Sequence, residues 1–415
     1  IHFHAGTMPL TLKDLIITQN TADEGGNVYI SSSTVSLENV VIDDNDAQLS
    51  PGKGGGLWAI KSTVDATDLV LSNNDGLLGG GAYLQSVDGT WDDIVISGNS
   101  STTYGGLYVL AAFNGDFTLS NCLVEDNEGH YPGVFLESMN GNALLVDELV
   151  VFDNKGWGAA PQYGEEVEGA VMFIGEAVVE GLTAYDNSAF AGVSTKSADA
   201  GNVSISNASV VGNSNHGIVG VTSSELSIIN GLVAYNSGTG IVDSDLLQDN
   251  IDLDHSIIWQ NGFDFEGWGT VPLGSNGNDS VEPSLLTFNS DLAGDLWDLR
   301  LAADSALIGA GSEEVSNSNE TESDIGAYGG PTWDYDWYDD LDDDGMYDGW
   351  EVDHGLNPDI DDSALDFDVD GLNNGDEFSH GTWPELIDTD GDGSSDNGEV
   401  LVGSNPLDPG EFPGD

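Results

Sequence analysis

Positive charge is nearly absent from this sequence. Its 415 residues hold 6 Lys plus Arg against 74 Asp plus Glu, a formal charge of −68. A surface this acidic repels DNA, RNA and anionic lipid, which argues against nucleic-acid and membrane-surface binding. It also repels itself, so folding is expected to depend on screening salt or bound divalent cations. Such a balance suits a marine or halophilic bacterium. Cysteine is almost as scarce. Cys122 stands alone, which excludes an intrachain disulfide. Between Phe117-Thr118-Leu119 and Leu123-Val124 it reads as a small buried apolar side chain. No run approaches about 18 apolar residues, so no membrane-spanning helix is expected. The opening Ile1-His2-Phe3-His4 does not read as a signal peptide, and the chain is expected to be a processed or trimmed exported protein.

The acids that dominate the sequence are unevenly spread. No Lys or Arg follows Arg300, and 27 of the acidic residues fall between Asp334 and the end. This shift predicts a domain boundary near residues 331–334.

The first 260 or so residues repeat a short apolar run that ends in a polar pair closing on Asn. Examples are Leu15-Ile16-Ile17 before Asn20, Val40-Val41-Ile42 before Asn45 and Ile94-Val95-Ile96 before Asn99. Further copies end at Asn74, Asn127, Asn154, Asn187, Asn213, Asn236 and Asn261, at intervals of 25, 29, 25, 28, 27, 33, 26, 23 and 25 residues along the series. Glycine clusters and a second strand-like run follow many copies, as in Gly25-Gly26-Asn27-Val28-Tyr29, Gly54-Gly55-Gly56-Leu57-Trp58 and Gly79-Gly80-Gly81-Ala82-Tyr83. This period, with several short strands and no helical pattern, predicts an all-β fold: a parallel β-helix of about ten or more coils. Glycines are expected at the bends, the recurrent Asn in a left-handed turn, and Asn side chains bonded from coil to coil. Parallel crossovers favour the right hand.

These features resemble the bacterial right-handed parallel β-helix proteins of the pectate-lyase-like superfold, and more closely the secreted choice-of-anchor branch. Three segments carry the resemblance: Trp297-Asp298-Leu299-Arg300-Leu301, Ser305-Ala306-Leu307-Ile308-Gly309-Ala310-Gly311, and Asp324-Ile325-Gly326-Ala327-Tyr328-Gly329-Gly330-Pro331. The resemblance implies that they close the C-terminal end of the solenoid. The expected division is therefore coils over 1–281, a closing segment over 282–333 and a separate domain over 334–415.

That last stretch holds three loops of EF-hand-like spacing. An EF-hand-type loop presents oxygens at positions 1, 3, 5, 7 and 9, with Gly at 6 for the turn and Glu at 12. The first runs Asp340, Asp342, Asp344, Gly345, Asp348, Glu351; the second Asp366, Asp368, Asp370, Gly371, Asn374, Glu377; the third Asp388, Asp390, Asp392, Gly393, Asp396, Glu399. Position 7, which offers a backbone carbonyl, is Met346, Leu372 and Ser394. Calcium takes six to eight hard oxygens, and alternating Asp residues on a tight loop bring them to one point. About three or more calcium ions are expected. Trp350, Phe367, Phe378 and Trp383, with a proline turn after each loop, argue against a merely solvated acidic tail. The loops start 26 and 22 residues apart, which leaves no room for paired helices. They resemble thrombospondin type 3 repeats and their bacterial relatives. The three position-12 glutamates are each expected on a short helix, and the segment is expected to fold with the metal.

Catalysis finds little support in the residues. A lyase acting on acidic sugars needs a cationic base, and the only cations are Lys13, Lys53, Lys61, Lys155, Lys196 and Arg300. His216-Gly217 is a fragment of a polygalacturonase-like cluster without the Arg-x-Lys that completes it. Asp43-Asp44 and Asp92-Asp93 recur on similar coils and are expected to point to opposite faces. Trp58, Tyr83, Trp91, Tyr108 and Trp157 could form a sugar-stacking platform, or stack between coils. The resemblance implies a non-enzymatic extracellular structural or adhesive protein of a bacterial surface or matrix. It would be stabilised by calcium and able to assemble with copies of itself into filaments or a lattice through its solenoid ends or its calcium domain. The rival reading is a calcium-dependent polysaccharide lyase or glycoside hydrolase, or a protein that binds a surface polysaccharide.

Overall fold

The structure is a computed structural model. It describes the chain except for residues 7, 22–26, 48–51, 113–114, 158–168, 197–200, 222–225, 244–250, 267–272, 289–296, 303–304, 316–322, 330–341, 343, 348–349, 352–353, 359, 408–409 and 411–415. Gly25, Gly26, Asp340, Asp348 and the boundary expected near 331–334 lie outside the described residues. The chain divides into two compact units. The first comprises Ile1–Pro283, Ala306–Ser316 and Glu322–Thr332; the second comprises Ser284–Ser305, Asn317–Thr321 and Trp333–Asp415.

The first unit is a parallel β-solenoid of right-handed type with about nine turns. Its long strands stack in one series: Leu10–Thr18, Thr34–Asp43, Leu57–Ser72, Ala82–Ser97, Phe117–Glu125, Leu144–Phe152, Ala177–Tyr185, Val203–Val211, Leu226–Ala234, then Ile251–Asp254 with Ile257–Trp259. Each pairs in parallel with the next, so equivalent residues lie above one another, as Val40 on Leu69 and Leu69 on Ile94. Alternation sends Val35, Leu37, Val40 and Ile42 inward, and their counterparts on other coils do the same. Cys122 is one of these core positions, stacked between Ile94 and Leu149 and 2% exposed. Burial pushes its thiol upward, as its apolar flanks predict.

The recurrent Asn residues form a continuous ladder. Each amide Nδ2 donates to the next Oδ1 from Asn20 to Asn261, at 2.8–3.1 Å. The same Oδ1 also accepts the backbone N–H of the preceding Asn, for example Asn99 N to Asn127 Oδ1 at 3.0 Å. The expected left-handed Asn is corrected here. The positive φ belongs to the residue before it: Asp44 (52°), Asn73 (51°), Asp126 (48°) and Asp153 (47°). The chain turns there, so the Asn side chain enters the core and Nδ2 bonds back to the carbonyl two residues earlier, as Asn154 to Phe152 at 2.7 Å.

Glycine serves some of the bends, with positive φ at Gly98 (62°), Gly175 (89°), Gly181 (65°) and Gly212 (63°). Other corners sit at Ser32, Lys61 and Ser86 and at Asn39, Asp68, Asp93 and Asn121, all with φ near 50°. The stacked glycines serve close approach instead. A Cβ on Gly55 would lie 2.4 Å from the carbonyl oxygen of Gly80, and one on Gly80 would lie 2.4 Å from that of Gly105. The glycine columns let adjacent coils touch through their backbones.

Residues 306–312 and 323–329 belong to the first unit and lie against the corner formed by Asn207 and Asn230. Asn207 Nδ2 donates to the carbonyls of Asp324 (3.1 Å) and Gly326 (3.3 Å), and Gly326 N donates to the Asn230 carbonyl (2.9 Å). Ser323, Ile325 and Ala327 are buried there. In the second unit Leu285–Thr287 runs antiparallel to Asp298–Leu301. Its small core is Met346 and Trp350, with Leu286, Tyr347, Leu356 and Phe378 packed around them. Phe367 and Trp383 are 53% and 39% exposed. Among the described residues no helix is long and apolar enough to cross a membrane.

Candidate metal centre

The acidic loops fold in one way three times over. In each, an aspartate carboxylate accepts the backbone N–H two residues ahead: Asp342 from Asp344 (3.2 Å), Asp368 from Asp370 (3.0 Å) and Asp390 from Asp392 (3.1 Å). The next aspartate repeats the contact, Asp344 from Met346, Asp370 from Leu372 and Asp392 from Ser394. At position 1, Asp366 accepts from Val369 and Gly371, and Asp388 accepts from Gly391 and Gly393. Gly345, Gly371 and Gly393 occupy position 6 at φ of 93°, 106° and 99°, a region in which a side chain is strained. Backbone amides thus hold at least one oxygen of each of these aspartates and bring the carboxylates together.

Carboxylate oxygens of Asp342, Asp344 and Glu351 lie within 4.8 Å of one another, as do those of Asp366, Asp368 and Asp370, and of Asp388, Asp390 and Asp392. Each group could hold a metal ion. The position-12 glutamates stand on helical turns, as expected. Glu377 lies in α1 (Asn374–His380) and Glu399 in α2 (Asp396–Val402), each capped at its start by Asn373 or Ser395 and ended by a left-handed glycine. Glu351 opens a single turn, its N–H bonded to the Tyr347 carbonyl at 3.0 Å. All three glutamates are fully buried. Both carboxylate oxygens of Glu377 and of Glu399, and one of Asp368, Asp390 and Asp392, are buried without a hydrogen-bond partner. An acceptor so placed is costly unless a cation or proton satisfies it.

The acidity of these groups shows the same stress. Burial first, then Asp368 and Asp370, pushes Glu377 up to about 8. Burial first, then Asp390 and Asp392, pushes Glu399 up to about 7. Burial and Asp392 push Asp390 up to about 6, against a hydrogen bond that lowers it. The residues therefore fit a hard cation.

Position 9 behaves differently from the expectation. Asn374 Oδ1 accepts from Phe367 N (3.2 Å), and the two oxygens of Asp396 accept from Thr389 N (2.9 Å) and Thr389 Oγ1 (2.7 Å). These side chains brace the second residue of their own loops. A link between loops went unread in the sequence. Asp344 Oδ2 accepts from Asp362 N and Ser363 N, ahead of the second loop, and Asp370 Oδ2 accepts from Asn397 N (2.8 Å) in α2 of the third. The spacing alone could have suggested only that position 5 repeats.

The solenoid residues singled out for chemistry have structural partners. Glu38 holds Lys13 charged, its pKa raised, and Asp126 does the same for Lys155. Lys53 lies over the Trp58 and Tyr83 rings. His216 Nδ1 accepts from Thr239 N of the next coil (3.0 Å), and burial lowers its pKa. Asp43 accepts from Ser72 and Asn73, and Asp92 from Ser120 and Asn121, so these acids bridge coils. The left-handed Asp44 and Asp93 interrupt the strand alternation that was expected to oppose each pair. The aromatic platform is also corrected. Trp91 is in the core, while Tyr83 and Tyr108 stack 4.6 Å apart and are buried with Tyr131 and Phe135. Trp58 is partly buried against them, and Trp157 is exposed with its indole N–H on Glu128.

Residues 388–409, which contain the third loop, match the family described as the bacterial TSP3 repeat. No curated protein matches the sequence. Among solved structures, the chain is similar to one described as the crystal structure of pectate lyase Pel9A. The two share 13% identity over 76% of this chain and 86% of that one, with a TM-score of 0.47.

Proposed function

We propose that the protein is a non-enzymatic, extracellular structural or adhesive component of a bacterial surface or matrix, with a second unit folded around calcium. The observation that carries this reading is the set of buried position-12 glutamates: Glu351 lies within its aspartate cluster, and Glu377 and Glu399 keep unpartnered buried oxygens in the field of Asp368 and Asp370 and of Asp390 and Asp392. Calcium would be held by Asp342, Asp344 and Glu351 in the first loop. In the second and third it would be held by Asp366, Asp368, Asp370 and Glu377, and by Asp388, Asp390, Asp392 and Glu399. Backbone carbonyls of Met346, Leu372 and Ser394 would complete the sets, with Asp340 and Asp348 as further first-loop ligands. Bound calcium supplies charge neutralisation and fixes the loops.

The solenoid supplies the rest of the reading. Lys13 and Lys155 are held as cations by acidic neighbours, which suits them to bracing coils and not to proton abstraction. Secretion, the division at 282 and 334, and assembly into filaments through solenoid ends or the calcium unit belong to the same proposal.

Isothermal titration with calcium, together with electron microscopy in calcium and in chelator, tests it. About three ions per chain and filaments that dissolve on chelation are expected; isolated particles in both conditions reject assembly. Release of reducing ends or unsaturated sugars from acidic or neutral polysaccharides, abolished by substituting one carboxylate pair, overturns the non-enzymatic reading.

A further inference from the structure

One outward-facing column of the solenoid is covered on its later coils and open on its earlier ones. It runs in register through Ile16, Val41, Val70, Val95, Leu123, Val150, Thr183, Ser209 and Leu232. Beside it runs the left-handed corner column that includes Asn39, Asp68, Asp93, Asn121, Asn207 and Asn230. At the later coils residues 323–329 lie on both columns. Ala327 N donates to Ser209 Oγ (3.0 Å), Asn207 Nδ2 reaches the Asp324 and Gly326 carbonyls, and Ser209 and Leu232 are buried. A Cβ on Gly326 would stand 3.1 Å from Ser209 Oγ, so the peptide lies close to the sheet.

The same columns form an open groove of about 560 Å³ on the earlier coils, floored by Val41, Val70, Val95 and Leu123 and walled by Asn39, Asp68, Asp93 and Asn121. Ile16, 75% exposed, extends the floor. The wall has become acidic where the covered stretch carries only Asn. Burial, then the neighbouring Asp92 and Asp68, pushes the Asp93 carboxyl upward.

We propose that this open stretch docks an extended, basic peptide segment of a partner protein. Small apolar side chains would lie along the valine floor, and a Lys or Arg would face Asp68 and Asp93. The peptide class follows from the chain's own segment, which already occupies the continuation of the groove through backbone hydrogen bonds. The basic character follows from charge complementarity. A second copy is disfavoured at this groove, because a chain with 6 Lys plus Arg against 74 Asp plus Glu offers few cations to an acidic wall.

The test uses the full chain with calcium and a fluorescent synthetic peptide of residues 323–329 carrying Asp324→Lys. Saturable binding is expected, weakened about tenfold by Val70→Asp and also by the exposed pair Asp68→Asn with Asp93→Asn. The unsubstituted peptide should bind more weakly, and added salt should narrow the difference. Binding no tighter than that of a scrambled peptide, or equal binding to both variants when their melting curves match the parent, overturns the proposal. Displacement of the peptide by a neutral oligosaccharide, with the same sensitivity to the variants, overturns the peptide assignment in favour of a sugar site.

Discussion

Glu377 shows at the residue scale why the second unit needs an ion. Its carboxylate is buried among other carboxylates, so in the metal-free fold it holds its proton up to about pH 8, and Glu399 does so to about 7. From the ordinary glutamate value of 4.5 up to about 8, the metal-free folded unit therefore binds more protons than the unfolded chain. Its stability must fall as pH rises through that window and be greatest below it. In chelator, this unit should show no melting transition near pH 8 and should regain one as the pH falls to 5. In saturating calcium the trend should invert, because protons then compete with the ion. A chelated unit whose melting ignores pH would show that these groups are not buried as charges.

Asn127 makes the corresponding case for the solenoid. It donates to Ile96 O, Glu125 O and Asn154 Oδ1, and accepts two bonds from Asn99. Asn127→Ala strands several buried groups, each costing about 1–3 kcal/mol. A loss of about 3 kcal/mol or more is expected in urea unfolding. The exposed Asn20 at the ladder's end should cost less than about 1 kcal/mol. Both Asn positions were legible in the sequence, because side chains that stack must recur at one interval. The turn conformation was not, since it falls on whatever precedes the Asn, here Asp, Asn, Gln, Gly or Tyr, and the residue type carries no consistent mark.

At the scale of elements, the metal loops are joined and not merely repeated. Asp370 uses one oxygen on its own loop and the other on the N–H of Asn397, in the first turn of α2, where no intrahelical partner exists. Ordering the second loop therefore also fixes the helix that presents Glu399. Linkage requires the effect to be reciprocal. Glu399→Gln should weaken calcium at its own loop by about tenfold or more and also lower the affinity of the second loop. Glu377→Gln should in turn lower the affinity of the third. The amide resonances of Gly371 and Gly393 would report each loop separately during a calcium titration. Independent titration in both variants would leave the joint without energetic weight. The loops themselves were legible because ligand geometry demands fixed spacing. The joint was not, because it connects residues 27 apart through a backbone N–H, which every residue but proline owns.

For the whole molecule, the charge of −68 raises the question of whether calcium acts as a general counter-ion or as a ligand. The two roles separate by unit. The solenoid core is a continuous stack of apolar side chains and amide ladders, so it needs only screening of its surface acids. In the second unit the described buried apolar side chains are few, Trp297, Leu299, Leu301, Met346, Trp350 and Leu372, too few to hold buried carboxylates without an ion. Chelation should leave most of the far-ultraviolet β signal and abolish a separate, lower thermal transition. Trp350, 3% exposed against Met346 and Phe378, should report that loss as a red-shifted emission, isolated by subtracting a Trp350→Phe variant. Sodium chloride at about 1 M, where the Debye length is about 3 Å, should raise the melting temperature of the solenoid. It should not restore the Trp350 emission, because screening supplies no oxygen-coordinated ion to Glu351, Glu377 and Glu399. Recovery of that emission by sodium alone would mean that the acidic loops require ionic strength and bind no specific metal.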